Sequence, residues 1–520
     1  MKWKDFRKRC IRWEGTTVNV LGLVEVIFGL VLLVPAAFAL YFGEDAIPFL
    51  APIPFLLALG SFQYLTFTQS RTFRFVNGLL LVGISWLVMF AIGTIPYIMS
   101  GIDPVNAIFE SVSGITTTGL TVIGDLSAQS TSLLIWRSMT QWIGGIAVVL
   151  IFLYFLPKVG QGRGLFYNEL AGYESSDYSQ KMRDVARSFI MIYMLLSALN
   201  FIILVILQVP AIEAMCLMFT TISTGGLFMF NSSLMIYSDA VQWVTIVFMF
   251  LGGTNFYLHY RAIARRERGV YRGNSEYRAM IVWFGVITVV IFLLMLQDMI
   301  ISGEPTDARS LYEVFKDVLF TTVSLGTSTG FYVEDYTLWP AQCTIFLMIV
   351  VVIGASTSST SGGIKIGRLR IIYEYIRAGF STLVHTNSVY SVKVDGRVVE
   401  DSVIRSALMV FVMFVLTILI GAVLIMTGGN DLLDSVGLSI SAVSNGGMGF
   451  GNFGPTGDFA GLDGWIKGIL IVLMWMGRLE IVTAAILFTP GFWKDVWLNS
   501  RAKRRGRVSD IGVRRSGRRM

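Results

Sequence analysis

The chain has 520 residues, of which 54% are hydrophobic and 14% charged, and its mean hydropathy is +0.67. So few charges cannot coat a water-soluble globule of this size, so composition excludes a soluble domain and indicates a membrane protein. The net charge of +7 would also suit a nucleic-acid binder, but Lys and Arg lie in connectors rather than on one aromatic-studded face; nucleic acid is not expected, and the positive-inside rule accounts for the charge.

The N-terminal cluster Lys2, Lys4, Arg7, Lys8, Arg9 and Arg12 precedes an apolar stretch at 18–40. Ala37-Phe38-Ala39 imitates a signal-peptidase site, yet about 23 apolar residues predict a retained span. Spans at 17–41 and 47–68 form a two-helix extension, residues 1–70.

Four units follow, at 71–157, 158–265, 266–380 and 381–492, and a basic tail covers 493–520. Each reads as a span, a short amphipathic segment, a Gly-containing polar turn and a second span. The expected spans are 75–99 and 131–156, 184–209 and 238–260, 278–302 and 337–378, and 402–427 and 461–489. The unit repeats at about 105 to 117 residues, longer than solenoid periods. Ten crossings place both termini on one side. The basic connectors near Arg71 and Arg74, at 261–278, at 368–377 and at 501–519 make that side cytoplasmic. Neutral or acidic connectors, such as those holding Asp103, Asp125, Glu334 and Asp335, face outside.

The segments at 105–112, 211–220, 311–323 and 432–440 are too short to cross a bilayer and read as re-entrant half-helices. The turns after them contain Thr117, Thr118 and Gly119; Ser223, Thr224 and Gly225; Ser328, Thr329 and Gly330; and Asn445, Gly446 and Gly447. Non-helical backbone at membrane depth must be buried in protein or line a hydrated path. Glycine frees the backbone to aim successive carbonyls at one axis, where they can replace the hydration shell of a cation such as potassium. The C-terminal ends of the half-helices favour a cation there. Gly-rich Ser/Thr segments also make close helix contacts, but four in register with half-helices favour a shared pathway. The expected fold is an all-α polytopic membrane protein with four helix–pore loop–helix units in pseudo-fourfold arrangement.

The Thr-Thr-Gly turn of unit one, 137–145 (Arg-Ser-Met-Thr-Gln-Trp-Ile-Gly-Gly), 252–260 (Gly-Gly-Thr-Asn-Phe-Tyr-Leu-His-Tyr) and 359–365 (Ser-Thr-Ser-Gly-Gly-Ile-Lys) resemble the TrkH/KtrB potassium transporters of the Trk/Ktr/HKT superfamily. The resemblance covers about 70–490, and the two leading spans are similar to the TrkH branch. It implies potassium selectivity from Gly119, Gly225, Gly330 and Gly447, where some plant relatives carry serine in the first wall and pass sodium. It also implies a homodimer in the cell's inner membrane and a cytosolic nucleotide-binding regulator of the TrkA/KtrA type. Unit four, with Asn445-Gly446-Gly447, departs most from the Thr-x-Gly pattern.

The second span of unit three is interrupted at Gly354-Ala355-Ser356-Thr357-Ser358-Ser359-Thr360-Ser361-Gly362-Gly363, too polar for a lipid-facing helix. A break there could obstruct and release an ion path, and the resemblance makes it an intramembrane gating loop. Lys365 and Arg478 must face protein or water, since a basic group at the bilayer centre is costly. Arg478 either acts in the gate, by donating to loop carbonyls and hydroxyls or by setting a positive barrier against cations in the closed state, or pairs with Glu480 or another carboxylate as structural glue.

Glu110, Glu213, Asp317 and Asp434 could concentrate cations at an outer mouth, or, for the last three, cap half-helices. Anionic lipid is an alternative ligand for the basic connectors. His259, His385, Cys10, Cys216 and Cys343 show no metal-ligand spacing, and Trp142, Trp243, Trp339 and Trp465 suit interfacial or core positions. No catalytic constellation or cofactor site is expected, and potassium is the only bound metal. The rivals are a sodium- or proton-coupled symporter and a membrane-embedded enzyme.

Overall fold

In the computed structural model, residues 15–67, 75–155, 178–302, 310–384, 391–455, 457 and 459–494 are described. The N-terminal basic cluster with Cys10, the residues around Arg71 and Arg74, His385 and the tail from Arg501 lie outside them. The described chain is predominantly helical. Among the described residues, six helices are long and apolar enough to cross a membrane, or eight if two bent pairs each count as one span. The two remaining expected crossings correspond to Thr131–Phe155 and to the interrupted pair Ala341–Ile353 and Ile366–Val384.

The leading helix Gly15–Val31 packs on Pro52–Thr66. Gly22 and Gly60 allow this approach, because a β-carbon on either would lie 2.6 Å from the other's carbonyl oxygen. Asn19 donates to the Tyr64 and Phe67 carbonyls, both at 2.7 Å, satisfying oxygens at the end of the opposing helix.

The half-helices are Pro104–Ile115, Ala211–Ile222, Leu311–Gly326 and Leu432–Val443. With twelve or sixteen residues, they measure about 18–24 Å at 1.5 Å per residue, short of the roughly 30 Å core of a bilayer. Each ends two or three residues later than the polar pattern predicts. Hydroxyls at the turn explain this: Thr116 donates to Val112 O at 2.7 Å, Ser223 to Phe219 O at 2.8 Å and Thr327 to Val323 O at 2.8 Å, so polar side chains prolong the helices by bonding to carbonyls four residues back.

The capping assignment needs correction for Asp317. The third half-helix is capped by Ser310, in a reciprocal box with Glu313, and Asp317 lies beyond its first turn. The first is capped by Asp103, whose side chain accepts from Val105 N. Glu213 and Asp434 do occupy first turns.

Burial is greatest in the half-helices, where nearly every residue of the last two turns is sealed. The long helices keep a large apolar outer face: Leu416, Leu419, Ile420 and Val423 are exposed on Asp401–Met426, as lipid contact requires.

The second helices depart from expectation. In unit two the helix stops at Gly252 and resumes as Phe256–Ile263 at 97°, and in unit four Gly464–Arg478 and Ile481–Leu487 meet at 114°. Interruption was expected in unit three alone. Gly252-Gly253-Thr254-Asn255 supplies one signal for the extra breaks, and Asn255 caps the new helix by accepting from Tyr257 N. A small hairpin, Lys393–Val394 with Arg397–Val398, also precedes the first span of unit four. Its turn residues Asp395 and Gly396 have φ of 49° and 76°, the geometry that an Asp-Gly pair favours.

Candidate ion pathway

All four turns share one backbone path. Thr117, Thr224, Ser328 and Asn445 have φ of 53°, 53°, 55° and 50°, and Gly119, Gly226, Gly330 and Gly447 follow two residues later with φ of 92°, 78°, 84° and 73°. The residues between them donate backbone N–H to matching carbonyls: Thr118 to Ser113, Gly225 to Thr220, Thr329 to Ser324 and Gly446 to Ser441, at 2.8–2.9 Å. Unit two is therefore displaced by one residue from the sequence expectation. Its triplet is Thr224-Gly225-Gly226, and Ser223 belongs to the helix end. Non-glycine residues held at positive φ in every turn are strain that surrounding structure must maintain.

The turns meet in a closed cycle. A β-carbon at Gly119 would overlap the Gly225 carbonyl oxygen, and one at Gly226 would overlap that of Thr329. One at Gly330 would lie 3.2 Å from Gly446 O, and one at Gly447 2.5 Å from Thr118 O. Each glycine thus abuts the peptide oxygen of the next turn, in the order one, two, three, four, one. A side chain at any of these seams would push the neighbouring oxygen aside.

The second helices hold the cycle from behind. Gly144, Gly252 and Gly477 press against the last carbonyls of their own half-helices, at Ile115, Ile222 and Val443. Behind turns one, three and four, Ser113, Ser324 and Ser441 donate to the carbonyls of Leu120, Phe331 and Met448. The matching residue of unit two, Thr220, instead bonds back to Cys216 and Leu217. Gln141, from the second helix of unit one, supplies the missing support. Its Nε2 donates to Gly225 O at 2.6 Å, and its Oε1 accepts from Leu227 N at 3.0 Å.

The polar interruption of unit three lies against the turns. Its neck is closed by Ile364 N to Val352 O, Lys365 N to Ile353 O and Ile366 N to Ala355 O, at 2.8–3.0 Å. From there Thr360 bonds to the Thr224 hydroxyl at 3.1 Å and to Ile222 O and Gly252 O. Ser361 meets Ser328 Oγ at 3.2 Å, and Gly362 N donates to that same oxygen at 2.7 Å. A β-carbon on Gly362 would overlap Ser444 O. The loop therefore touches turns two, three and four.

The model of the TrkH cation transport proteins matches residues 48–494. The chain belongs to the TrkH family. Among curated relatives, the Trk system potassium uptake protein TrkH of Vibrio parahaemolyticus is 29% identical over 494 residues, covering 92% of this chain and 99% of that one. TrkH of Escherichia coli is 27% identical over 486 residues, covering 92% and 99%, and TrkG of that organism 29% identical over 491 residues, covering 92% and 98%. The crystal structure of the potassium transporter TrkH from Vibrio parahaemolyticus superposes with a TM-score of 0.83 at 28% identity, over 92% of this chain and all of that one.

In this TrkH-family chain, Arg478 closes the second helix of unit four, and its Nη1 donates to Thr360 O at 2.8 Å. Glue to Glu480 is overturned: Glu480 pairs with Arg368 at 2.5 Å, fastening the start of Ile366–Val384. Lys365 stands at the loop's neck with φ of 79°. Thr357 donates its N–H and hydroxyl to Glu276 at 2.6–2.9 Å, a contact that sequence reading missed because Glu276 sits inside a basic connector. Ser358 O accepts from Phe256 N at 3.2 Å, Ser356 N donates to Gly253 O at 3.1 Å, and Ser359 donates to Ser356 O at 2.6 Å. Glu110 faces no outer mouth: it is sealed in an ion pair with Arg137 at 2.9 Å. Glu213 accepts from the Tyr237 hydroxyl and Asp434 from Asn452. His259 bonds to Tyr271 and Leu251 O, and Trp142 packs on Tyr193 and Phe219; both roles are structural.

Proposed function

We propose that this chain conducts potassium into the cell as the membrane subunit of a Trk-type uptake system, with the four turns as its selectivity filter and residues 354–365 as its gate. The closed cycle of glycine–carbonyl seams carries the reading. Peptide oxygens from four turns gather where four half-helix C-termini converge, and both features stabilise a cation stripped of water. Thr117, Thr118, Gly119, Thr224, Gly225, Gly226, Ser328, Thr329, Gly330, Asn445, Gly446 and Gly447 form the walls.

The gate reading rests on the loop's hydrogen bonds to turns two and three and on Arg478, which sets a buried positive charge against it. While the loop holds these bonds it blocks the path; its withdrawal opens the way. The basic connectors orient the filter outward with both termini in the cytoplasm. A homodimer working with a cytosolic nucleotide-binding regulator is the assembly that fits a TrkH-type chain.

Rubidium uptake into liposomes holding the purified chain tests this reading. The expected flux follows the potassium gradient, is unchanged by sodium or proton gradients, and loses its preference over sodium in Gly119→Ser. Equal inertness to both ions with and without regulator would refute conduction, and flux driven by a sodium or proton gradient would convert the reading to symport.

A further inference from the structure

The supports behind the filter are not fourfold. Turn two alone lacks the serine that ties its own half-helix to the strand after the glycine, and it leans on unit one instead. Arg137 continues that support, with Nη1 donating to Phe228 O at 2.9 Å, two residues beyond Gly226. Its Nε is held by Glu110 at 2.9 Å, in a pair with side-chain exposures of 2% and 0%.

Glu110 is itself tied to the filter strand of unit one. Oε1 accepts from Thr121 Oγ1 and Val122 N, both at 2.7 Å. One buried ion pair therefore spans the strands that leave two adjacent filter glycines. At the matching place in the other units stand Leu217, Thr321 and Leu438, so the device occurs once.

We infer that Glu110 and Arg137 are positioning residues for ion discrimination: the pair fixes turn two against turn one at the spacing that separates potassium from the smaller sodium ion. This rests on the potassium reading above. Burying two charges is expensive, and an apolar pair of similar volume would fill the same space at least as stably. What an apolar pair lacks is the directional grip on Val122 N and Phe228 O.

The test is the rubidium-to-sodium uptake ratio in liposomes, a quantity independent of how much protein folds. Glu110→Gln keeps the shape and removes the charge, and Arg137→Lys keeps the charge but loses the fork that reaches both partners. Each is expected to lower the ratio about tenfold, the effect of losing one charge-assisted hydrogen bond from the difference between two ions. Trp136→Phe serves as control, because it deletes an equally buried hydrogen bond, to Gly93 O, without touching the filter; its ratio is expected to stay at the wild-type value while thermal stability falls. A ratio within twofold of wild type in a folded Glu110→Gln protein would overturn the assignment, and if that variant does not fold, the Arg137→Lys ratio decides in the same way. Wild-type chain without potassium preference would remove the underlying reading instead, and the assignment with it.

Discussion

Replacing Gly226 and Gly225 separately by alanine distinguishes the observed register of turn two from the one expected by pattern. At Gly226 the new methyl meets two penalties. The backbone sits at φ 78°, where an L-residue costs about 1–2 kcal/mol. The methyl also overlaps the Thr329 carbonyl oxygen, which must shift by roughly an ångström to reach van der Waals separation. That oxygen belongs to the proposed filter wall, so loss of discrimination by one to two powers of ten, about 1.4–2.8 kcal/mol between ions, is expected. At Gly225 the methyl meets the far end of the Gln141 side chain, 2.4–2.8 Å away. Gln141 can rotate aside, giving up two hydrogen bonds to turn two worth about 1 kcal/mol each, so stability falls and selectivity drops by no more than about tenfold, the lower end of the effect at Gly226. Paired rubidium and sodium uptake by both variants, with thermal unfolding alongside, provides the measurement. If Gly225→Ala destroys selectivity while Gly226→Ala preserves it, the register is wrong.

Arg478→Met removes a charged hydrogen bond to Thr360 O worth about 1.5–3 kcal/mol to the closed loop; potassium flux should rise about tenfold or more, and unchanged flux in folded protein would separate Arg478 from the gate. Glu276→Ala frees Thr357 N and Oγ1 and should raise flux severalfold with the ion ratio intact, measured in the same liposomes. Ser310→Ala breaks the capping box of the third half-helix at a cost of about 1 kcal/mol, visible as a lowered Tm with no change in the rubidium-to-sodium ratio.

The half-helices and the turns that follow them were legible because short apolar segments followed by Gly-containing polar turns cannot cross a bilayer. The loop at 354–363 was legible for a similar reason: its run of Ser, Thr and Gly cannot face lipid. The register of turn two was not, since Gly225-Gly226 offers two candidates and only the sign of φ separates them. The ends of the half-helices were misjudged because Ser and Thr usually compete with helix, yet here their hydroxyls cap the last turn. Glu110 shows a different limit. Sequence reveals a carboxylate beside a presumed mouth, but whether it meets water or Arg137 depends on a neighbour 27 residues along the chain. Gln141 and Arg137 could have been flagged as polar groups in an apolar helix, although their targets on unit two lie more than 80 residues away.

A ring assembled from four identical subunits would have to repeat every substitution at all its positions simultaneously. Here the turns are successive stretches of a single polypeptide, and Asn445 can stand where the others carry Thr or Ser while Gln141 buttresses just one of them. Each quadrant is free to drift on its own, so under the proposed function changes in preference between ions can be acquired one quadrant at a time.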